Sequence, residues 1–199
     1  MSRHLPLPGR ELLDEHVDRL AAALPALRAA GDTLARWGST LAHRLTGGNQ
    51  LLVAGNGGSA AEAQHLTAEL VGRFEGERRP LPAIALHADT SAMTAIGNDY
   101  GFEQVFARQV AGLGRRGDML MALSTSGRSP NILAALRVAH EHGLITIGFT
   151  GAKGAAMGVA CDHLLVAPSD DTPVIQQIHL AVAHGICDEI EQTLMHERK

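Results

Sequence analysis

The sequence is short of aromatic rings and of positive charge. Its 199 residues include one Trp, one Tyr and four Phe, and so few rings disfavour a surface that stacks on nucleic-acid bases. Seventeen Lys and Arg stand against twenty-one Asp and Glu, for a formal net charge of −4. A chain without excess basic residues lacks the electrostatic footprint of a protein that follows a phosphate backbone. We therefore expect no nucleic-acid partner.

Cysteine and long apolar runs are scarce too. Cys161 and Cys187 are the two thiols, which is too few for a disulfide framework and lacks the CxxC spacing of a structural zinc site. No apolar run approaches the roughly 20 residues that span a bilayer. Residues 1–10 carry charge and two prolines instead of the apolar centre of a signal peptide. These features predict a cytoplasmic protein that does not enter a membrane.

Short apolar runs alternate with helical patterns from residue 50 onward. They predict buried strands at 51–54, 83–86, 119–123, 145–149 and 164–166. Apolar runs of this length between helices are typical of βαβ units, in which both faces of a parallel sheet are covered. We expect an α/β fold with three layers and one doubly wound sheet of about five parallel strands. Ligands of such folds bind beyond the carboxyl ends of the strands.

Helical spacing of apolar residues marks both ends of the chain. Two N-terminal helices are predicted within 11–45, with breaks at Pro25 and Gly31, and a long last helix covers 173–195. No linker or internal repeat interrupts the chain. We expect a single domain over residues 1–199, with a helical segment at 1–48 and a ligand-binding core at 49–199.

Two loops of small residues follow the first and third predicted strands. One is Gly55-Asn56-Gly57-Gly58-Ser59 and the other is Ser124-Thr125-Ser126-Gly127-Arg128-Ser129, and each leads into a helix. Glycine lets the backbone approach a ligand closely, and the free N–H groups at a helix start favour an anion. Together the loops predict a phosphorylated small molecule as the ligand.

Other interpretations of these loops remain open. Gly55, Gly57 and Ala60 fit a dinucleotide fingerprint, but that fingerprint needs an acidic residue about 20 positions further on. The nearest candidate, Asp89, lies 34 residues beyond Gly55. The serine loop could also be an ordinary helix cap. The Walker pattern of nucleotide triphosphatases does not occur in the sequence.

Eleven histidines are many for a chain of this composition, and a few of them stand near carboxylates. Glu62, His65 and Glu69 are spaced by three and four, which places them on one face of a helix. The last helix adds Gln176 and His184. Nitrogen and oxygen donors of this kind suit zinc, although they would also accept other divalent ions. A metal site is therefore one interpretation of these residues.

The other interpretation is that His65 and Glu69 form the kind of pair that is common on solvated helices. Gln176 and His184 also lie about 12 Å apart along a regular helix, since each residue adds roughly 1.5 Å. Both reach one ion only if their side chains lean together, the helix is distorted, or a neighbouring subunit supplies one of them. His179, between them, is assigned to the core.

Taken together and in order, five motifs resemble the phosphoheptose isomerases of the sugar-isomerase (SIS) domain superfamily. The motifs are Gly55-Asn56-Gly57-Gly58-Ser59, Ala63-Gln64-His65-x3-Glu69-Leu70, Gly97-Asn98-Asp99-Tyr100-Gly101-Phe102, Ser124-Thr125-Ser126-Gly127-x-Ser129 and Ile175-Gln176-x2-His179-x4-His184. The resemblance runs from about Gln50 to His184 and is specific as a set.

The resemblance implies a homotetramer of SIS domains, each with a phosphosugar-binding core. It implies interconversion of D-sedoheptulose 7-phosphate and D-glycero-D-manno-heptose 7-phosphate. It also implies a zinc cofactor, held by His65, Glu69, Gln176 and His184, with Glu69 and His184 as the acid/base pair. The positions that match the family's substrate contacts are Asn56, Gly57, Gly58, Asn98, Asp99, Ser124, Thr125, Ser126, Ser129 and Gln176.

Four positions depart from the pattern of that family. Glu62 replaces a common Asp, Gln177 a common Glu and Arg128 a common Asn, while Pro173 stands where some members carry Asp. These changes bear on substrate preference more than on the class of reaction.

The chemistry of such an isomerase fits the residue types. Moving a carbonyl between C2 and C1 passes through an enediol and needs a base, an acid and stabilisation of a developing oxyanion. The alternative is a non-catalytic SIS protein that binds a protein partner such as a replication initiator. Relatives of that kind tend to lose the second glycine of the first loop or part of the metal set. Gly57, Gly58, His65, Gln176 and His184 are all present here.

Overall fold

The computed structural model describes residues 8–196, so the first seven and last three residues of the expected domain lie outside the described residues. Five parallel strands form one sheet in the order β2-β1-β3-β4-β5. The strands are β1 Leu51–Gly55, β2 Ala83–Ala85, β3 Met119–Ser124, β4 Ile145–Thr150 and β5 His163–Val166. The expected doubly wound parallel sheet is confirmed, and each strand differs from its prediction by one residue at one end.

Eight α-helices connect and flank the strands in the described part of the chain. They are α1 Pro8–Leu27, α2 Gly31–Thr46, α3 Gly58–Val71, α4 Thr90–Tyr100, α5 Ala107–Leu113, α6 Pro130–Glu141, α7 Ala155–Gly158 and α8 Thr172–His196. None of the helices described is long and apolar enough to cross a membrane.

The predicted break at Pro25 is wrong, because α1 continues through it to Leu27. Pro25 lies in the last turn of α1, where the missing N–H costs the helix one hydrogen bond and few residues remain to be disturbed. The two N-terminal helices are instead separated by a short 3-10 turn, Arg28–Ala30, and α2 begins at Gly31 as expected.

Alternate strand residues supply two separate apolar cores, one on each face of the sheet. Leu51 and Val53 of β1 pack in a cluster with residues of α2, α3 and α8. Leu52 and Ala54 point to the other face and pack with residues of α5 and α6. Because successive side chains of a strand point to opposite faces, a fully apolar strand needs helices on both sides. The three layers follow directly from this requirement.

The first of these cores brings α2 and α8 unusually close at Gly38. A Cβ atom added to Gly38 would overlap the Cβ of Glu189 and crowd its backbone carbon. The glycine therefore sets the distance between the two helices. Its place in the middle of α2 would otherwise be unfavourable, since glycine weakens a helix interior.

Replacing Gly38 with Ala is expected to lower the free energy of unfolding by about 1–3 kcal/mol, because the added methyl group forces α2 and α8 apart. Gly112→Ala in α5 is the matched control: a Cβ there meets nothing within 4 Å, so we expect a small gain from helix propensity. Urea denaturation of both variants measures the difference. A Gly38→Ala protein as stable as the wild type would contradict the close packing.

Candidate active site

The site lies where the strand order reverses. From β1 the chain moves outward to β2, and it then returns to β3 and continues to β4 and β5 on the other side. The loops after β1 and β3 consequently leave neighbouring strands in opposite directions and open a crevice between them. Side-chain amides join the two loops, since Asn56 and Asn131 each donate to the other at 3.0 and 2.8 Å.

The glycines of the first loop have two different tasks. Gly57 has φ 56° and ψ −122°, a conformation in the left-handed half of the map that suits glycine. Gly58 has no unusual backbone, but a Cβ at that position would overlap the side-chain amide of Gln176. Gln176 reaches this loop from α8, so Gly58 makes room for a residue that is 118 positions away in the sequence.

The serine loop gathers hydroxyl groups at the start of α6. Ser124 and Ser129 share a hydrogen bond of 2.9 Å between their Oγ atoms. Gly127 turns the chain with φ 61°, and a Cβ there would overlap Gly154 and Thr150. Within the described residues, the backbone N–H groups of Ser126 and Ser129 donate to no protein atom. Free donors beside hydroxyls at a helix start can bind an anion.

A cluster of His65, Glu69 and His184 lies where α3 and α8 face each other. The Nε2 atoms of His65 and His184 are 2.8 Å apart, and His65 Nε2 is 3.3 Å from Glu69 Oε1. One ligand atom from each residue falls within 4.8 Å of the others. The ring of Phe74 covers His184, with 5.5 Å between the ring centroids. His65 and Glu69 of α3 thus lie together with His184 of α8.

The donor set of this cluster fits a divalent metal ion. Two imidazole nitrogens around a tetrahedral zinc stand about 3.3 Å apart, so a separation of 2.8 Å needs a widening of about half an ångström. Two nitrogens and one carboxylate oxygen are ligands that zinc accepts. All three side chains are at least partly exposed, which leaves a fourth position accessible.

Gln176 does not distort α8 in order to reach this cluster. The helix runs without interruption from Thr172 to His196, so the distortion considered from the sequence is not seen. Gln176 lies against Gly58 and His184 against His65, and these two positions on α3 are seven residues apart. Within one chain, Gln176 therefore contacts the loop after β1, about 10 Å along α3 from the histidine cluster.

Asn98 and Asp99 bond to each other in the described chain. Both are exposed near the end of α4, and the Asn98 side chain donates to Asp99 at 2.8 Å. No hydrogen bond between residues 8 and 196 joins either of them to the loop after β1 or β3.

Glu62 and His179 form a buried pair that the sequence did not reveal. His179 is fully buried and the Glu62 side chain is 11% exposed, with 4.0 Å between Nδ1 and Oε2. Neither of these two atoms has a hydrogen-bond partner in the described structure. Burial raises the pKa of Glu62 to about 7 and lowers the pKa of His179 to about 4. The imidazole is therefore neutral at pH 7, and its Nε2–H donates to the Thr150 carbonyl at 3.2 Å.

Other contacts of the site also lay beyond the sequence patterns. Asn131 bonds to Asn56, and Phe74 covers His184. Asn131 follows the serine loop directly, and its polar side chain on the buried face of α6 was an available signal. Phe74 offered no such signal, because its contact depends on the path of the chain after α3.

The wild type is expected to lose stability as the pH rises from about 4.5 to about 7, and the substitution Glu62→Gln is expected to remove this loss. The pKa of Glu62 is about 7 in the folded state, against an ordinary value of 4.5. In this window the folded state keeps a proton that the unfolded state has released, so rising pH lowers the free energy of unfolding, by at most about 3 kcal/mol. The loss is complete above pH 7 and absent below pH 4.5.

Urea denaturation of the wild type and of Glu62→Gln at pH 5 and pH 7.5 measures this loss in the free energy of unfolding. The depressed pKa of His179 has the opposite effect in both proteins, so the comparison isolates Glu62. Glu77→Gln, at an exposed position, is the control and should show no such trend. If the free energies of unfolding of the wild type and Glu62→Gln differ by the same amount at both pH values, the raised pKa of Glu62 is contradicted.

Comparison with known proteins points to one family. The sequence profile of the SIS domain matches residues 15–151. A phosphoheptose isomerase from Bradyrhizobium sp. (strain ORS 278) is 60% identical over 191 residues, which are 94% of this chain and 96% of that protein. A phosphoheptose isomerase from Streptomyces coelicolor is 49% identical over 98% of this chain and 81% of its own length.

The fold agrees with solved structures of the same kind. A phosphoheptose isomerase from Francisella tularensis superposes with a TM-score of 0.86 at 37% identity, over 94% of this chain and all of that one. A phosphoheptose isomerase from Neisseria gonorrhoeae gives a TM-score of 0.85 at 38% identity, over 92% and 98%. The chain therefore belongs to the SIS-domain family and, within it, to the phosphoheptose isomerases.

Proposed function

We propose that the protein interconverts D-sedoheptulose 7-phosphate and D-glycero-D-manno-heptose 7-phosphate through an enediol. The observation that carries the proposal is the meeting of His65, Glu69 and His184 on the helix that follows the loop after β1. Proton donors and acceptors thus lie about 10 Å along α3 from Gly58 and a loop suited to a sugar phosphate. A Bradyrhizobium relative named phosphoheptose isomerase is identical at 61% of the aligned positions, which supports the same reaction here.

The serine loop is the proposed phosphate site. Its hydroxyls and the free N–H groups of Ser126 and Ser129 can donate to phosphate oxygens without a lysine. Thr125, Ser126 and Ser129 are partly exposed, so a ligand can reach them. Asn56 and the backbone of Gly57 and Gly58 would bind sugar hydroxyls on the other side of the crevice.

Glu69 and His184 are the proposed acid/base pair. The reaction removes a proton from the carbon beside a carbonyl and returns one to the neighbouring carbon, so one base and one acid suffice. The Glu69 carboxylate is the type of group that removes such a proton. His184 can carry a proton to the sugar oxygen, since imidazole nitrogens can both accept and donate a proton.

Zinc is the proposed cofactor, with His65, Glu69, Gln176 and His184 as its ligands. The two histidines and Glu69 already meet in one chain, whereas Gln176 would join them only if a neighbouring subunit supplies it or its side chain leaves Gly58. When bound, it would polarise the sugar carbonyl and stabilise the negative charge of the enediolate. A carboxylate or imidazole that binds a metal is a weaker base. Ligation and proton transfer by Glu69 and His184 would therefore belong to different stages of the reaction.

A homotetramer in the cytoplasm completes the proposal. Leu12, Leu13 and Val17 of α1 are more than half exposed, and an apolar helix face of this kind is suited to contact with another subunit. Asn98 and Asp99, which are exposed and make no hydrogen bond to the loops of their own chain among the described residues, are available to such a partner. The intact Gly57-Gly58 pair and metal set favour catalysis over a role that consists of partner binding alone.

Glu69→Gln and His184→Ala are each expected to lower kcat for sedoheptulose 7-phosphate by about 10²–10⁴-fold, the usual contribution of a positioned acid or base. Formation of the aldose by purified protein is the measurement. Glu141→Gln and His142→Ala, at exposed positions where α6 ends far from the serine loop, are the matched controls and should keep full activity. Full activity of Glu69→Gln or His184→Ala would refute the assigned roles.

Removal of the metal is expected to lower both activity and thermal stability. A ligand that binds the folded state stabilises it by about 3 kcal/mol at a hundred times its Kd, so EDTA should lower the Tm and added zinc should restore it. His65→Ala should lose this response, while His142→Ala should keep it. If the Tm and the rate of the wild type ignore both EDTA and zinc, the metal proposal fails.

A further inference from the structure

Behind the histidine cluster lies a buried ion pair, Arg78 with Glu191. Arg78 Nε is 3.2 Å from Glu191 Oε1, and the two side chains are 4% and 6% exposed. Burying two charges is costly, and a buried pair is often no more stable than apolar residues of the same size. Its place in the fold therefore calls for an explanation other than stability alone.

Glu191 fixes the path of the chain after α3. Its carboxylate accepts hydrogen bonds from the backbone N–H groups of Phe74, Glu75 and Gly76, at 3.2, 3.3 and 2.7 Å. Burial alone would raise the pKa of Glu191, but these three bonds and the Arg78 guanidinium lower it. The group is thus a carboxylate that holds three consecutive amides.

Arg78 fixes the end of α3 itself. Its guanidinium donates to the carbonyl of Glu69 at 2.6 Å and to the carbonyl of Leu70 at 2.9 Å. The last carbonyls of a helix lack partners within the helix, so donors at this point determine how its final turn is held. One of the two carbonyls belongs to Glu69, whose carboxylate is in the proposed acid/base pair.

The same pair also reaches His184. Glu191 lies seven residues after His184 on α8, which places the two residues on one face of that helix. Phe74, whose amide is held by Glu191, packs its ring against His184 with an interplanar angle of 34°. Contacts from one ion pair therefore lead to Glu69 through its backbone and to His184 through Phe74.

We infer that Arg78 and Glu191 are positioning residues that hold Glu69 and His184 in the mutual geometry required for proton transfer. The inference rests on the proposed function. Neither residue need touch the substrate, since Arg78 acts on the backbone of Glu69 and Glu191 acts through Phe74. Misplacement of a reacting group by about 1 Å can cost about 100-fold in rate, so a loosened turn at Glu69 would be visible in kcat.

The test compares Arg78→Met with Arg79→Met in the full chain. Arg79 is exposed and donates to the Thr46 carbonyl, so its variant controls for loss of a neighbouring positive charge. We expect Arg78→Met to lower kcat for sedoheptulose 7-phosphate by about 10–100-fold and to change KM by less than about threefold. Arg79→Met should match the wild type in both constants.

A second readout does not depend on turnover. Ring ¹H–¹³C signals of His184 in the metal-free protein, assigned by their loss in His184→Ala, report the surroundings of that ring. We expect these signals to shift in Arg78→Met and in Glu191→Gln, and to stay in place in Arg79→Met. If the wild type itself fails to convert sedoheptulose 7-phosphate, the proposed function fails, while the His184 signals still decide whether the ion pair positions the cluster.

The double variant Arg78→Met/Glu191→Leu separates positioning from folding. Apolar residues can replace a buried ion pair without loss of stability, but they cannot hold the Glu69 carbonyl or the Phe74 amide. These backbone groups lose their partners in the double variant, so we expect a folded protein with a lowered Tm and a kcat as low as that of Arg78→Met. Wild-type kcat and unshifted His184 signals in a folded Arg78→Met or double variant would overturn the inference, and Glu191→Gln serves the same test if both of those fail to fold.

Discussion

The reversal of strand order between β1 and β3 is the constraint on which the rest of the site depends. Two adjacent parallel strands end at the same edge, and their loops leave in opposite directions. The crevice between them exists for topological reasons, whatever residues line it. The reciprocal amide pair of Asn56 and Asn131 then holds the two loops at a fixed distance. A ligand that contacts both loops meets a surface that is already assembled.

Helix α8 turns that crevice into a candidate catalytic site. It carries Gln176 against Gly58, His179 beneath Glu62, His184 against His65 and Glu191 against the segment after α3. An uninterrupted helix of 25 residues can place four polar side chains along α3 only if its remaining residues bury it in the core. Gly38 permits this by letting α2 approach closely. Packing of α2 against α8 therefore supports chemistry on the opposite side of the helix.

Features encoded by short-range patterns could be predicted from the sequence. The apolar runs located all five strands, and the spacing of His65 and Glu69 placed both on one face of α3. Features that join distant segments could not. Arg78 and Glu191 are 113 residues apart, and each belongs to a charged residue type that is usually found at the surface. The break predicted at Pro25 was wrong because the effect of a proline on α1 depends on how near the helix end lies, and the sequence around Pro25 does not give that end.

Charge close to the crevice explains how a protein of net charge −4 could accept an anion. The overall field opposes a phosphate, so attraction must come from donors at short range, such as the N–H groups of Ser126 and Ser129. A full negative charge on Glu62 as well as on Glu69 would add to the repulsion. Burial raises the pKa of Glu62 to about 7, which leaves this carboxyl partly protonated at neutral pH. The neutral His179 beside it gives no compensating positive charge, so protonation of Glu62 is what reduces the negative charge next to the site.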